Sequence, residues 1–432
     1  MNAPLRRIRL NPKPAALAVL AVTLALWFGI SAGAVFLGRG QSLDEAIKRG
    51  EYLARVGDCI ACHTTHDGPA FAGGLALPTP FGTLYSPNIT PDVQSGIGNW
   101  SADDFYYMLH TGHSRDGSLL YPAMPFPAYT KVTRADSDAI FAYLSSLKPI
   151  QQRNRLNELR FPYNSRSLLS GWRARYFREG EYVPEPKHDA VWNRGAYLVQ
   201  GLGHCGTCHT AINALGGSSE DRAFAGGLIP TQNWYAPSLT LNKEAGLGEW
   251  SFEDIASLLK DGLSSHAAVY GPMAEVVHNS LQYLTDADAH AMAVYLKTLP
   301  EPRESRSPNA PRGATTVSAS VLSRGHAIYN AHCAGCHLST GRGEPPGYPP
   351  LAQNPSIQME SAVNPIRMVL NGGYPPQTAG DPRPYGMPPF AQIMSDEDIA
   401  AVVTYIRVSW GNYGQPVTPG EVNALRSAPL LD

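Results

Sequence analysis

One five-residue pattern occurs three times and constrains this chain more than any other feature. It spans Cys59–His63, Cys205–His209 and Cys333–His337, and each copy reads Cys-x-x-Cys-His. Two cysteines three residues apart share one face of a helical turn, so both thiols can reach the two vinyl groups on one porphyrin edge. The histidine that follows can offer a ring nitrogen to the iron, and the whole pattern is the attachment signature of c-type haem.

The cysteine count supports the same interpretation. Pairs with this spacing also occur in zinc sites and redox dithiols, but here every pair is followed by histidine. The chain has 6 cysteines in total, so the three motifs leave none for a disulfide or a second half of a zinc site. We therefore predict three covalently bound haem c groups, each with a histidine as the proximal iron ligand. The predicted attachment residues and proximal ligands are Cys59, Cys62, Cys205, Cys208, Cys333, Cys336, His63, His209 and His337.

A second axial ligand is expected for a haem that carries electrons. Methionine supplies a soft sulfur and gives a higher potential than a second histidine. Met124, Met273 and Met387 each follow one motif at a distance, and each stands beside a proline that stiffens its loop. These are the predicted distal ligands. The rivals are histidines in the same regions, namely His110 or His113 in the first and His266 or His278 in the second.

The length of 432 residues suggests about three domains, at roughly 150 residues each, and the motifs divide the chain accordingly. The predicted fold class is all-α, with three tandem cytochrome c-type haem domains after an N-terminal signal or anchor helix. The predicted boundaries are 1–40 for a signal peptide or membrane anchor, 41–148 for domain one, 149–187 for an interdomain linker, 188–300 for domain two, 301–317 for a flexible linker, 318–412 for domain three and 413–432 for a tail.

In each predicted domain the same residue types occur before and after the motif. An Arg-Gly pair lies in a helix just before each motif, and a tyrosine lies in the last helix. A repeated glycine inside a helix suggests close packing against another element. We predict that these glycines let the first and last helices of each domain cross at short range. The pairs are Gly50 with Tyr143, Gly195 with Tyr295, and Gly325 with Tyr405.

Domains one and two share further patterns that domain three lacks. Among them are Gly98–Ser101 and Gly248–Ser251, which contain Trp100 and Trp250. Either tryptophan can donate its indole N–H to a haem propionate or serve as an ordinary core residue, and the sequence leaves both open.

The N-terminus has the pattern of an exported protein. Basic residues precede an uncharged apolar run from Ala15 to Leu37, which is long enough to cross a bilayer as a helix. A small-x-small pattern at Ala32–Ala34 is typical of signal-peptide cleavage, whereas the apolar residues that continue after it favour an uncleaved anchor. Either outcome predicts that the haem domains lie on the periplasmic face of the bacterial inner membrane.

The charge and composition of the chain give no indication of a nucleic-acid partner. The formal net charge is −2 and no basic patch indicates nucleic acid. The segment 149–187 is rich in arginine and aromatic residues, so we expect it to pack across domains one and two, and a docking surface for a partner subunit is an alternative use.

Two further stretches, Ser86–Pro91 (Ser-Pro-Asn-Ile-Thr-Pro) and Leu120–Phe126 (Leu-Tyr-Pro-Ala-Met-Pro-Phe), complete a specific resemblance. From about residue 45 to 410 the chain resembles the tri-haem cytochrome c subunits of bacterial membrane-bound dehydrogenases, which oxidise sugars, sugar acids, alcohols and aldehydes. The resemblance implies a catalytic dehydrogenase subunit as partner, with a flavoprotein favoured over a quinoprotein or molybdenum subunit. It also implies delivery of electrons to ubiquinone or a terminal oxidase.

The expected function is therefore electron relay, without a substrate-oxidising site in this chain. No dinucleotide-binding fingerprint or phosphate-binding loop is present in the sequence. One alternative is a carrier for a respiratory oxidase or reductase that has no dedicated dehydrogenase. Another is a haem enzyme with one open iron position, such as a peroxidase.

Overall fold

The computed structural model describes residues 42–218, 220–242, 246–301, 317–345 and 347–428. The predicted N-terminal signal or anchor segment and nearly all of the predicted flexible linker lie outside these ranges. Within them, no helix combines the length and the apolar character that a membrane span requires.

Domain one begins with a helix that leads directly into its motif. Ser42 caps this helix, since its hydroxyl accepts a hydrogen bond from the Glu45 amide and its own amide donates to the Glu45 carboxylate. The same capping arrangement recurs at Ser101. The elements are α1 Leu43–Val56, α2 Cys59–Cys62, β1 Ala76–Thr79, β2 Gly82–Tyr85, α3 Ala102–Thr111, α4 Phe126–Tyr129 and α5 Arg134–Ser146.

The segment after domain one contacts both neighbouring domains. Its strand β3, Glu158–Leu159, joins β1 and β2 in an antiparallel sheet, and its helix α6 is Leu169–Tyr176. Trp172 donates its indole N–H to the carbonyl of Leu215 in domain two at 3.0 Å. The segment thus packs across two domains, as its aromatic residues predict. Phe161 is an exception, since it is 86% exposed.

Domain two repeats the order of elements with one local change. The interval from Gly195 to Cys205 is one residue longer than the interval from Gly50 to Cys59. A π-helical turn at Leu198–Leu202 absorbs the additional residue before the motif. The elements are α7 Ala190–Tyr197, α8 Gly206–His209, β4 Gly227–Ile229, β5 Trp234–Ala236, α9 Phe252–Asp261, α10 Pro272–Asn279 and α11 Asp286–Leu296.

The regular elements of domain three in its described residues are all helices, and the last of them lies past residue 412. Its last helix buries Val422 completely, and Arg426 pairs with Asp396 at 2.7 Å, so part of the predicted tail packs onto the domain. The elements are α12 Ala319–His332, α13 Ala334–His337, α14 Pro355–Gln358, α15 Val363–Asn371, α16 Asp396–Val408 and α17 Pro419–Arg426.

The fold is mostly helical, as predicted, but two small sheets were not expected. The hairpin β1–β2 with β3, and the hairpin β4–β5, are antiparallel and local. The strands of both hairpins are short and follow the motifs of domains one and two, where pairing satisfies backbone groups that no helix covers. Such short strands leave little signal in a sequence.

The glycines predicted to lie at helix crossings do so. A Cβ atom on Gly50 would lie 1.8 Å from the carbonyl oxygen of Ala139 and 2.9 Å from the Cβ of Tyr143. The matching distances from Gly195 and Gly325 to the opposing carbonyl oxygens are 1.9 and 2.3 Å. No larger side chain fits at these crossings, which explains the threefold repeat of the Arg-Gly pair.

The helix crossings are also held by a repeated ion pair. The arginine before each glycine reaches an aspartate in the first turn of the helix that crosses at that glycine. The pairs are Arg49 with Asp136, Arg194 with Asp288, and Arg324 with Asp398.

Domains one and two share a single apolar core, whereas domain three has its own. The hydroxyl of Tyr197 in domain two donates to Asp136 of domain one at 2.6 Å. The predicted picture of three tandem units therefore becomes a tightly joined pair followed by a third domain.

Domain three meets domain two through α15 and β5. The side chain of Asn364 accepts from the amide of Tyr235 at 2.9 Å and donates to the carbonyl of the same residue at 2.8 Å. A second contact joins His278 to the carbonyl of Gln377 at 3.0 Å. This interface places the motifs of domains two and three on facing walls.

Candidate haem sites

Each motif forms one short helical turn that directs its cysteines and histidine to one side. The amide of His63 donates to the carbonyl of Cys59 at 3.1 Å, and His209 and His337 repeat this bond to the first cysteine of their motifs at 3.0 Å. The backbone enters the first turn through Asp58, whose φ of 51° is left-handed. The histidine thus follows the cysteines on the same turn, as haem attachment requires.

The three motif histidines are oriented in the same way. Nδ1 of His63 lies 2.7 Å from the carbonyl oxygen of Pro87, and the matching distances are 2.8 Å from His209 to Pro237 and 3.0 Å from His337 to Pro349. Because a carbonyl only accepts, the proton must lie on Nδ1, which leaves the Nε2 lone pair for a metal.

Burial favours the neutral form of these histidines. Desolvation lowers the pKa of His63, His209 and His337, and the hydrogen bond to the proline carbonyl opposes it only in part. A neutral imidazole is the form that binds iron. All three histidines are therefore in the form expected of a proximal iron ligand.

The motifs of domains two and three open into one cavity of about 390 Å³. Its walls are predominantly apolar and include Leu258, Met292, Leu296 and Val369. An apolar, enclosed space with a few polar groups suits a flat hydrophobic cofactor. The predicted site residues that line it are Cys205, Cys208, His209, Met273, Cys333, Cys336, His337 and Met387.

The distal methionines of these two domains lie on short, constrained segments. Met273 is in the first turn of α10, after Pro272 and Gly271. Met387 forms a two-way backbone bridge with Gly373, at 2.8 and 3.0 Å. Both share the cavity with the histidine of their own domain, which is the pairing that the sequence predicts.

The predicted distal ligand of domain one lies beside the core that the first two domains share. Met124 is partly buried against the core shared by domains one and two, as is Cys59. Its amide donates to the carbonyl of Tyr121 at 3.1 Å, in a tight turn before α4. Met124 thus lies in a turn next to a proline, and Met273 and Met387 also have a proline as neighbour.

The rival histidines have other partners. His110 lies 3.6 Å from Glu179, and His113 contacts the hydroxyl of Thr111 at 3.1 Å. His266 stacks on Trp250, and His278 contacts domain three. Neither His266 nor His278 is among the described residues that line the cavity, so methionine remains the better candidate there.

The two tryptophans are placed differently. Trp250 is 6% exposed and lines the cavity, and its carbonyl accepts from the Lys297 ammonium at 2.7 Å. Trp100 is half-buried against the shared core. A core role and a propionate contact are both compatible with these positions.

The first cysteine of each motif lies in apolar surroundings. Burial raises the pKa of Cys59 and Cys205 to about 12, and that of Cys333 to about 11. This is the opposite of the lowered pKa that makes the thiol of a redox dithiol reactive. No group of three or more metal-binding side chains occurs in the ranges the structure describes. Neutral thiols, a free Nε2 and an apolar cavity fit a covalently attached haem.

The residue before each motif is a feature that the sequence analysis missed. Asp58, His204 and His332 all stand directly before a first cysteine and all line the cavity of domains two and three. The sequence feature that could have identified them is an ionisable residue at the same position before all three motifs. Spacing alone could not show that Asp58, from domain one, faces a site in another domain.

Comparison with known proteins agrees with this geometry. A family model described as Cytochrome c matches residues 47–148 and 322–410. The alcohol dehydrogenase (quinone) cytochrome c subunit of Gluconobacter oxydans is 40% identical over 93% of this chain and 85% of its own length. The gluconate 2-dehydrogenase cytochrome c subunit of Pantoea cypripedii is 38% identical, over 90% of this chain and 91% of its own. The fructose dehydrogenase cytochrome subunit of Gluconobacter japonicus is 37% identical, over 88% and 83%. This chain belongs to the family of cytochrome c subunits of membrane-bound alcohol, gluconate and fructose dehydrogenases.

Proposed function

We propose that this chain is a tri-haem c-type cytochrome that relays electrons from a catalytic dehydrogenase subunit to ubiquinone or a terminal oxidase. The observation that carries the proposal is the threefold repeat of a motif histidine whose Nδ1 faces a proline carbonyl. A haem supplies one-electron exchange between ferric and ferrous iron. The protein contributes attachment, axial ligands and an apolar enclosure.

The three sites form a series with domain two in the middle. Domains one and two share one apolar core, which Cys59 and Cys205 of their motifs contact. Domains two and three share one cavity. We therefore propose that electrons move between the outer domains through the middle one.

The residues of this chain favour electron transfer over catalysis at the haem. In each proposed site one histidine and one methionine would hold the haem iron, and with both ligands bound no position would be open to oxygen or peroxide. Oxidation of the organic substrate then belongs to the partner subunit. A flavoprotein is the partner that we propose, with a sugar, sugar acid, alcohol or aldehyde as its substrate.

Location follows from the same proposal. The chain works on the periplasmic face of the inner membrane, and the N-terminal apolar run from Ala15 to Leu37 exports or anchors it. Export also suits the covalent haem, because thioether bonds keep the cofactor attached outside the cytoplasm.

Purification of the full chain from native membranes in mild detergent tests the proposal. We expect a catalytic dehydrogenase subunit to accompany it, and we expect substrate of that subunit to reduce the haems and then a ubiquinone analogue. The matched control is a His337→Ala chain, which should still capture the subunit but pass fewer electrons. Recovery of an oxidase or reductase alone, with no dehydrogenase, would replace the proposal with the carrier alternative.

A further inference from the structure

Asp58 is a buried carboxyl group that reaches from one domain into the site of another. It lies directly before Cys59 of domain one and is 9% exposed. Yet it lines the cavity that contains Cys205 and His209 of domain two. Its backbone is left-handed, with φ of 51°, at the position just before the motif helix of domain one.

The carboxyl group has no compensating partner in the described part of the chain. Its Oδ1 atom is buried and makes no hydrogen bond there. The nearby hydroxyl of Tyr129 donates instead to the carbonyl of Gly57 at 2.7 Å, and the imidazole of His204 also contacts Gly57. A buried carboxylate without a donor or a cation is costly.

The groups that face Asp58 do not stabilise its charge. They are Glu275 from α10, Tyr129 from α4, His204 from the domain-two turn, and Cys59 and Cys62 on its own turn. Burial first, and the negative charge of Glu275 second, raise the pKa of Asp58 to about 8. Its protonation therefore responds to charge changes near neutral pH.

We propose that Asp58 takes up a proton at its carboxylate when an electron arrives at the domain-two site, and releases it when the electron leaves. This inference depends on the proposed electron relay. The partner subunit supplies the electron and solvent supplies the proton, so one negative charge and one positive charge enter together. A site that gains an electron becomes less positive by one charge, which makes the nearby carboxylate easier to protonate.

The carboxyl group is specific to one boundary. The equivalent positions before the other two motifs are His204 and His332. A carboxylate is therefore present at this position only between domains one and two. Proton uptake there would oppose the accumulation of negative charge on the middle site of the series.

Potentiometric titration of the purified, haem-loaded full chain tests the proposal. Visible spectra are recorded against applied potential from about pH 6 to about pH 10, which brackets the titration of Asp58. The domain-two component is identified as the one whose potential falls in a Met273→His variant. In the wild type, we expect the potential of this component to fall as the pH rises, because deprotonated Asp58 favours the oxidised state.

In an Asp58→Asn chain this pH dependence should be lost, because the amide cannot take up a proton. Asparagine tolerates the left-handed backbone, and Asp58→Gly is a second variant if the first does not load haem. The control is Asp67→Asn, an exposed carboxylate on the same segment, which should keep the wild-type pH profile.

Two failures are distinguishable. A wild-type chain with fewer than three haems would overturn the proposed function itself. Three haems together with an unchanged pH profile in Asp58→Asn, or a pH-dependent component other than that of domain two, would overturn only the role of Asp58.

Discussion

The hydroxyl of Tyr52 in domain one donates a hydrogen bond to Asp288 of domain two across 2.5 Å. The same carboxylate binds Arg194 of its own domain at 2.7 Å. Tyr197 makes the reciprocal bond to Asp136, so domains one and two exchange equivalent contacts. In domain three the residue at the position of Tyr52 is Ala327, which is exposed. The first two domains are thus constructed as a pair, and the third lacks the residue that makes such pairing.

Replacement of Tyr52 by phenylalanine should weaken this pair. Loss of a hydrogen bond to a charged, buried acceptor costs about 2 kcal/mol, so the free energy of unfolding measured in denaturant should fall by this amount. The matched control is Tyr374→Phe, at a tyrosine that is 70% exposed. Equal stability of the two variants would show that the bond contributes nothing to domain pairing.

The acid dependence of stability should report the same carboxylate. Burial raises the pKa of Asp288, but hydrogen bonds from Arg194 and Tyr52 outweigh burial and hold it below the usual value. A carboxyl group with a depressed pKa stabilises the fold above its unfolded pKa of about 4, and this contribution is lost as the pH falls further. Denaturation at several pH values should therefore show a smaller acid loss in Asp288→Asn than in the wild type. Asp103→Asn, at an exposed carboxylate, should retain the wild-type slope.

The helix crossing of domain one should not tolerate a methyl group. Because a Cβ on Gly50 would lie 1.8 Å from the Ala139 carbonyl oxygen, Gly50→Ala should cost about 3 kcal/mol through forced separation of the two helices. Gly171→Ala is the control, since nothing lies within 4 Å of that position in helix α6. It should be neutral or slightly stabilising. Thermal denaturation of both variants makes the comparison, and similar midpoints would contradict the crossing.

The distal role of Met387 has a spectroscopic test. Oxidised haem with a methionine ligand gives a weak near-infrared sulfur-to-iron band, and we expect all three sites to contribute to it. Met387→His should remove about one third of the band and lower the potential of one component. Met394→Leu, in the domain-three core, should change neither. An unchanged band in Met387→His would assign the sixth position of domain three to another residue.

Local patterns allowed much of this molecule to be predicted. The motif turns and the glycine crossings depend on residues close in sequence or on a threefold repeat. The cavity walls of domains two and three contain the predicted cysteines, histidines and methionines. Repetition was the decisive signal, because an isolated glycine or methionine has too many ordinary uses.

Contacts between domains could not be predicted in this way. The partner of Tyr52 lies more than two hundred residues away in sequence, and no local pattern distinguishes it from a surface tyrosine. The position of Asp58 in a neighbouring cavity depends on the packing of domain one against domain two. The short strands and helix α17 likewise form because of local pairing and docking, which leave weak patterns of their own.

Intact-mass spectrometry of the mature protein from its native membranes shows whether three haems are attached. We expect a mass that exceeds the polypeptide by three haem groups, and fragments in which each Cys-x-x-Cys-His peptide carries one of them. A polypeptide with no added porphyrin, or with one motif unmodified in every molecule, would contradict this expectation.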